Sequence, residues 1–557
     1  MNKGFLSKHA CFLIITGVYL LLLFVVLPQF SFPLNDGWVY AKMTKVFTEE
    51  SEIRFINWGE PTLIFHIWWG ALFSHLLGFS QFALNFSVFL LSYVASISFY
   101  LILRHFKIKD SYALLGVLLI LANPIFFFNS FTFMTEVSSL ALTLLAILFY
   151  LKYDSSHKII FLICASVGSV AVFLIRQNGI FLPLTFFIYA VFKKDNRISF
   201  SPMVIFWLLV FPLCVDGAAM LWRYHQPNIY TRPFVFPNIV LMVQLTFYIL
   251  EYIGLFCLPF MIAFFLKYKN WRILFSKIRP ILVLLIFCCL GVCIIAVRKI
   301  MPYLGNQITV YGMFGLKEVL AGSRFVELRP LFWMLITIFS TISTAWIIAL
   351  GIVYGKSWLS ARGLNVFEKK KLHLSTRLFA SPKAFIYIIT LLQIVFPIII
   401  GNSFDRYILA LLPGLIVLVW DVAKQFSFSK GLVGIGICAS FILTCMLTFT
   451  TLNWNSIRWE EADALLSEGI PAQKIDAGFE WNGWHYPNIL GTDRQDPAKA
   501  RKPWYLRKIF PAIDDEYVIS FSQLEGYEVL KERSYTSWFL SGSHSMYVLR
   551  RIEANNP

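Results

Sequence analysis

Runs of roughly twenty apolar residues, the length a helix needs to cross about 30 Å of hydrocarbon, recur along most of this 557-residue chain. A larger soluble core cannot absorb them, because burial per residue grows only slowly with chain length. The composition agrees: 58% of residues are hydrophobic and 14% charged, against about 45–50% and 25% in soluble domains. A soluble enzyme, a disordered chain and a fibre are excluded. The pattern predicts an all-α polytopic membrane protein.

Lys and Arg in short loops are retained on the cytoplasmic face, so the charges orient the spans. Lys3 and Lys8 place the N-terminus inside. Thirteen spans are predicted, at 10–29, 80–103, 111–129, 132–151, 158–175, 177–192, 201–221, 239–266, 280–298, 330–354, 383–401, 404–423 and 430–451. The first runs into Pro28-Gln29-Phe30 without a small-residue cleavage site and reads as an uncleaved anchor. The stretches Arg104–Lys107, Lys193-Lys194, Lys267–Arg279 and Lys356–Lys383 are basic and fall on the cytoplasmic side. Segment 61–78 is apolar, but counting it as a span would invert every later loop. It is expected to be a surface or re-entrant helix, preceded by an amphipathic helix over 37–50.

An odd number of spans puts 453–557 outside, as a small extracytoplasmic α/β domain appended to the transmembrane domain 1–452, whose first outer loop is 31–79. Its strands are expected at Tyr517–Ser522, Tyr527–Trp538 and Ser545–Arg551, where apolar and polar residues partly alternate. The net charge of +17 follows from this orientation and gives no reason to expect a nucleic-acid partner. The nine cysteines all lie in apolar segments, without a disulfide framework or zinc-ligand spacing. Cys288, Cys289 and Cys293 read as small apolar residues of one helix.

The few charges near the outer ends of the spans carry the chemistry. Asp36, in Leu34-Asn35-Asp36-Gly37-Trp38 just past the first span, can take a proton from an acceptor hydroxyl. It can also cap the helix at 37–50. Glu136 stands at the outer end of an apolar span, where an ionisable group faces a cavity or a partner or stabilises the helix N-terminus. Arg176, in Arg176-Gln177-Asn178-Gly179, either snorkels or meets an anionic headgroup. Arg406, in Asp405-Arg406-Tyr407, suits a lipid-linked phosphate, with Asp405 expected to orient it, or serves as an interface anchor. Lys317, Glu318, Arg324, Glu327 and Arg329 form a mixed-charge run in which one basic residue is a phosphate candidate. His66 and His75 show no metal-ligand spacing and read as structural. Asp216 and Glu251 are candidates for pairing with outer-loop arginines. Asp36, Glu136, Arg176 and Arg406 come from distant parts of the chain, yet the topology puts all four at one membrane depth.

The order of several short motifs resembles bacterial GT-C glycosyltransferases of the protein O-mannosyltransferase and lipid A aminoarabinose transferase type. These motifs are Asn35-Asp36-Gly37, Glu60-Pro61-Thr62-Leu63 leading into Trp68-Trp69-Gly70-Ala71-Leu72-Phe73, Asn123-Pro124, Phe131–Glu136, Leu174–Gly179, Asp405-Arg406-Tyr407 and Leu412-Pro413. In the tail, the segment Lys474–Trp484 resembles one found in uncharacterised members. The resemblance implies a bacterial inner-membrane enzyme that moves a sugar from a polyprenyl-phosphate donor to an extracytoplasmic glycolipid, glycan or protein acceptor. Asp36 then matches the family's first-loop catalytic acidic residue, and Arg406, Arg176 and Arg324 are the candidates for the donor phosphate. Family members usually carry an acidic pair in the first loop. Here Gly37 follows Asp36, and Glu136 is a candidate for the second carboxylate. A divalent metal is compatible with the superfamily, but nothing in the sequence requires one, and no Gly-rich nucleotide fingerprint is visible.

Two other readings share these residues. A flippase for a lipid-linked saccharide would spread polar groups through the midplane and favour paired helix breaks. A non-catalytic membrane subunit would use the tail to bind a partner.

Overall fold

The computed structural model describes residues 3–56, 58, 62–193, 200–227, 235–267, 300–314, 319–323, 328–360, 381–423, 429–486, 502–538 and 543–552, with single positions between 269 and 291. The protein is mostly helical, with a small sheet near the C-terminus. Among the described residues, eight helices are long and apolar enough to cross a bilayer: His9–Gln29, Gln81–His105, Thr135–Ser156, Pro202–Tyr224, Ile239–Phe256, Pro330–Ile352, Lys383–Ile400 and Lys430–Ser467. Leu21, Phe24, Leu221 and Ile239 on these helices are more than half exposed. Apolar side chains exposed on helices of spanning length are what contact with lipid requires.

Eight of the thirteen expected spans thus reach spanning length, and of 280–298 only single positions are described. The other four are broken or short. Region 111–129 divides into Asp110–Leu121 and Pro124–Asn129. Asn123 caps the second piece, its Oδ1 accepting from the Ile125 and Phe126 amides at 3.0 and 3.1 Å, and Pro124 supplies no amide to continue the first. Region 404–423 begins as a 3-10 turn, Asp405–Leu411, before the helix Leu412–Ala423. Ile159–Phe173 and Phe181–Phe192 are short helices joined through the 3-10 turn Gln177–Ile180. Within 239–266 the helix also breaks, at Cys257 ahead of Pro259. Hydropathy counts side chains and is blind to the places where the backbone loses a hydrogen bond.

The expected surface helix appears as Gly37–Glu50. The apolar segment after it is the helix Ile64–Leu77, whose 14 residues extend only about 21 Å. That is too short to cross hydrocarbon, as the charge pattern requires. Its start is fastened to the turn before Arg176: the Phe65 amide donates to the Leu174 carbonyl at 3.1 Å, and the Leu63 amide reaches Ile175 at 3.4 Å.

The last helix, Lys430–Ser467, has 38 residues, about 57 Å. It carries the chain past the expected end at 451 and into the C-terminal domain without a break. A hairpin of β1 (Ile308–Thr309) and β2 (Gly312–Met313) lies earlier in the chain. The C-terminal sheet is formed by β3 (Ile475–Asp476), β4 (Tyr517–Ser520), β5 (Tyr527–Thr536) and β6 (Ser543–Arg551), in the order β3-β4-β6-β5, with only the β3–β4 pair parallel. Three of these strands were legible from alternation. The fourth, β3, is two residues long and carries no periodic signal.

Asp476 closes β3 and is buried. It accepts from the Asn482 side-chain amide at 2.8 Å, the Gly478 amide at 3.1 Å and the Tyr505 hydroxyl at 3.3 Å. Burial nonetheless dominates and pushes its carboxyl up to about 6. Between pH 4 and pH 6 the folded state therefore holds a proton that the unfolded chain has released, so stability falls as pH rises through that window. The expected loss is roughly 2–3 kcal/mol. Thermal midpoints of the full-length protein in detergent should decline from pH 4 to pH 6, and Asp476→Asn should flatten that decline. Parallel pH curves for the two proteins would refute the assignment.

Candidate functional site

The turn that carries Asp36 is set by its own sequence. Asn35 adopts a left-handed conformation, φ 53°, which Asn tolerates better than most residues. The Gly37 amide then donates to the Leu34 carbonyl at 3.1 Å, and the helix 37–50 starts at once. Asp36 occupies the N-cap position but makes no side-chain cap bond. Its Oδ1 accepts from the Trp58 indole N–H at 2.9 Å, and its Oδ2 lies 3.2 Å from both Nη1 and Nη2 of Arg406. Gly37 runs past the Phe133 backbone: a Cβ at this position would lie 3.7 Å from the Phe133 carbonyl oxygen.

Glu136 enters from the first turn of the helix Thr135–Ser156. Its Oε1 accepts from Arg176 Nη2 at 2.5 Å and lies 3.3 Å from Arg406 Nε. Its Oε2 is buried and has no hydrogen-bond partner. Arg176 also donates from Nε and Nη2 to the Thr135 hydroxyl at 3.1 and 3.0 Å, and its guanidinium lies 4.9 Å from the Tyr407 ring centre. Arg176 therefore turns inward to Glu136, and its side chain is only 18% exposed. It does not snorkel.

Arg406 lies against two adjoining aromatic rings, 5.4 Å from the centre of Phe404 and 5.8 Å from that of Tyr407. Asp405 does not orient its guanidinium, contrary to expectation. The Asp405 Oδ2 accepts the backbone amides of Gln307 and Ile308 at 2.9 and 2.7 Å, and Oδ1 accepts the Arg406 amide at 2.8 Å. Its role is to fasten the β1–β2 hairpin to the 3-10 turn that bears Arg406. Successive side chains in such a turn diverge by about 120°, so sequence neighbours face different partners.

Asp36, Glu136, Arg176 and Arg406 thus form one continuous ion cluster in which two carboxylates and two guanidiniums balance. Asp36 and Arg406 are 370 residues apart in sequence. Of the other candidates, Arg324 lies outside the described residues, as do Lys317, Glu318 and Glu327, and Arg329 is exposed. His66 is buried and stacked on Phe133 at 4.2 Å, which is a structural setting, and His75 is exposed. Glu251 is fully buried, but its recorded partner is the Thr341 hydroxyl at 3.1 Å. No arginine pairs with Glu251 or Asp216 among the described residues. Nor, among them, does any group of three or more His, Cys, Asp or Glu side chains converge as a metal site.

Residue-type reasoning missed Trp58, Thr135, Tyr407 and Glu480. Glu480 pairs with the buried Arg458 at 2.9 Å and accepts the Asn35 amide at 3.2 Å. The signal for Glu480 was present in the unusual tail segment that contains it. Trp58 offered none beyond its nearness to Glu60.

The architecture and the cluster define a polytopic helical membrane protein with a buried ion site assembled from a first-loop turn, a span end and two 3-10 turns. Residues 60–222 match the family described as dolichyl-phosphate-mannose-protein mannosyltransferase, and this segment contains the helix 64–77, Glu136 and Arg176. Two solved structures are also similar. The crystal structure of ArnT from Cupriavidus metallidurans in the apo state is 14% identical, with 98% of each chain covered and a TM-score of 0.42. The structure of ArnT from Cupriavidus metallidurans bound to undecaprenyl phosphate is 13% identical, with 97% of this chain and 98% of that chain covered, again at a TM-score of 0.42. No curated protein matches the chain.

Proposed function

We propose that the protein transfers a sugar from a polyprenyl-phosphate donor to an acceptor hydroxyl on the extracytoplasmic face of the bacterial inner membrane, by a single inverting displacement. The observation that carries this reading is the contact between Asp36 and Arg406 inside a cluster shared with Glu136 and Arg176. The matched family's description names a lipid-phosphate sugar donor, and the cluster has the groups such a donor requires. Asp36 takes the acceptor proton as the acceptor oxygen bonds to the anomeric carbon. The bond from that carbon to the phosphate oxygen breaks, and the electron pair leaves with the polyprenyl phosphate. The donor is a phosphodiester and the product a phosphomonoester, so one negative charge develops on the leaving group. Fixed guanidiniums stabilise such a charge best when water is excluded.

Without donor, Asp36 and Glu136 neutralise the two arginines. A phosphate that engages Arg406 competes with Asp36 for the same Nη atoms and frees Asp36 Oδ2 for the acceptor hydroxyl. Glu136 stays with Arg176 and keeps the pair of guanidiniums oriented. Acceptor identity, whether glycolipid, glycan or protein, is set outside this cluster, and Arg324 is a further candidate for the donor phosphate. In a flippase the same charges would bind the saccharide lipid without making a glycosidic bond.

Arg406→Ala tests the phosphate assignment, with undecaprenyl phosphate as the probe and the purified protein in detergent. A hydrogen bond to a charged group contributes about 1.5–3 kcal/mol, so the dissociation constant should rise about ten- to hundredfold. Unchanged affinity would remove Arg406 from the donor site.

A further inference from the structure

The tail segment Gly478–His485 has no part in the chemistry above, yet it is packed onto the turn that holds Asp36. Three sets of contacts link them. Trp58, which donates to Asp36 Oδ1, stacks on Trp504 at 6.1 Å with the rings 28° apart, and meets Phe479 at 6.0 Å. The Asn35 amide donates to Glu480 Oε1, while Glu480 Oε2 is fixed by Arg458 on the long helix 430–467. The helix 37–50 is clamped to the helix Phe479–His485: Trp38 packs edge-on to Phe479 at 5.7 Å, and Lys42 Nζ donates to the Tyr486 carbonyl at 2.8 Å. Gly483 is required in that clamp, because a Cβ there would lie 2.5 Å from the Trp38 ring.

We propose that the C-terminal domain is the positioning element of the catalytic turn, with Trp504 and Phe479 holding Trp58 against Asp36 and Glu480 fixing the backbone at Asn35. This rests on the reading of Asp36 as the general base. A carboxylate on a connecting turn has no regular structure of its own to fix it, and a misplacement of about 1 Å can lower a rate by about a hundredfold. Here one oxygen of the carboxylate and the amide of the preceding residue are both held by groups anchored in the tail. Trp58, Trp504 and Glu480 are positioning residues: they act on substrate only through Asp36. The domain is therefore part of the enzyme's working parts and not an appendage for a partner protein.

The test uses full-length protein in detergent and Trp504→Ala, Trp504→Phe and Gly483→Ala. The readout is initial transfer from a polyprenyl-phosphate sugar to the unmodified glycan or lipid extracted from cells lacking the protein. Trp504→Ala and Gly483→Ala are expected to lower kcat about tenfold, well within what misplacement can cause, with donor KM and undecaprenyl phosphate binding unchanged. Trp504→Phe keeps an aromatic face for Trp58 and should recover most of the loss. Wild-type kcat in Trp504→Ala and Gly483→Ala, in a protein that Asp36→Asn inactivates, overturns the proposal and leaves the base assignment standing. A fall in kcat that comes with a matching fall in thermal midpoint, a changed KM and no rescue by Phe also overturns it, because that is the signature of general destabilisation. Full activity in Asp36→Asn would instead remove the base assignment on which the positioning role depends.

Discussion

Asp36→Asn is expected to lower sugar transfer by about two to four orders of magnitude, the range a positioned general base contributes, while the protein still folds and binds undecaprenyl phosphate. The substitution isolates proton transfer unusually well. Asn retains an oxygen to accept the Trp58 N–H that now bonds Oδ1 at 2.9 Å, and it has almost the volume of Asp. What it loses is the basic lone pair and one of the two negative charges facing Arg406. Losing that charge removes the competitor for the Arg406 Nη atoms, so phosphate affinity should hold or rise as turnover collapses. A capping role for Asp36 would leave turnover intact, because Asn caps a helix as well as Asp, and here the side chain makes no cap bond to lose. The measurement is initial transfer rate beside undecaprenyl phosphate affinity in the two proteins. Transfer at the wild-type rate with normal expression would exclude Asp36 as the base. A rate and an affinity that fall together would make it a binding residue instead.

The four members of the cluster were legible before any coordinates because charge is expensive near hydrocarbon. Asp36, Glu136, Arg176 and Arg406 each interrupt or terminate an apolar run, and counting basic loops put them in one layer. Their pairing was not legible. Sequence adjacency made Asp405 the natural partner of Arg406, whereas the 3-10 turn directs Asp405 to the Gln307 and Ile308 amides. The breaks inside two expected spans were not legible for a related reason: Pro124 and Pro259 stand just past the ends of hydrogen-bonded runs that hydropathy reads as continuous. Trp58 lay hidden because an indole in a polar stretch carries no depth information, and the tail segment that contains Glu480 gave no sign of its partners. Only the fold brings residue 480 to residue 35.

Arg458 is the place where one substitution should be most damaging to the fold. Its guanidinium is completely buried, with Nη1 on Glu480 Oε2 at 2.9 Å and no hydrogen-bond partner for Nε or Nη2. Removing either member leaves the other as an uncompensated buried charge, which costs about 3–5 kcal/mol, whereas replacing both members by neutral groups of similar volume is often nearly neutral. Arg458→Met alone should therefore sharply lower the thermal midpoint of the detergent-solubilised protein. Arg458→Met combined with Glu480→Gln should recover most of it, because the ion pair stabilises little beyond its own desolvation. Activity separates the two functions of Glu480. Gln keeps an oxygen in place of the Oε1 that accepts the Asn35 amide at 3.2 Å, so the double variant should regain transfer along with stability. In Arg458→Met with Glu480→Leu, stability should return while transfer stays low, since no acceptor remains for Asn35. Equal activity in the Gln and Leu double variants would mean that the pair serves the fold alone. Equal stability in all of them would mean that the buried charge is compensated by groups other than its partner.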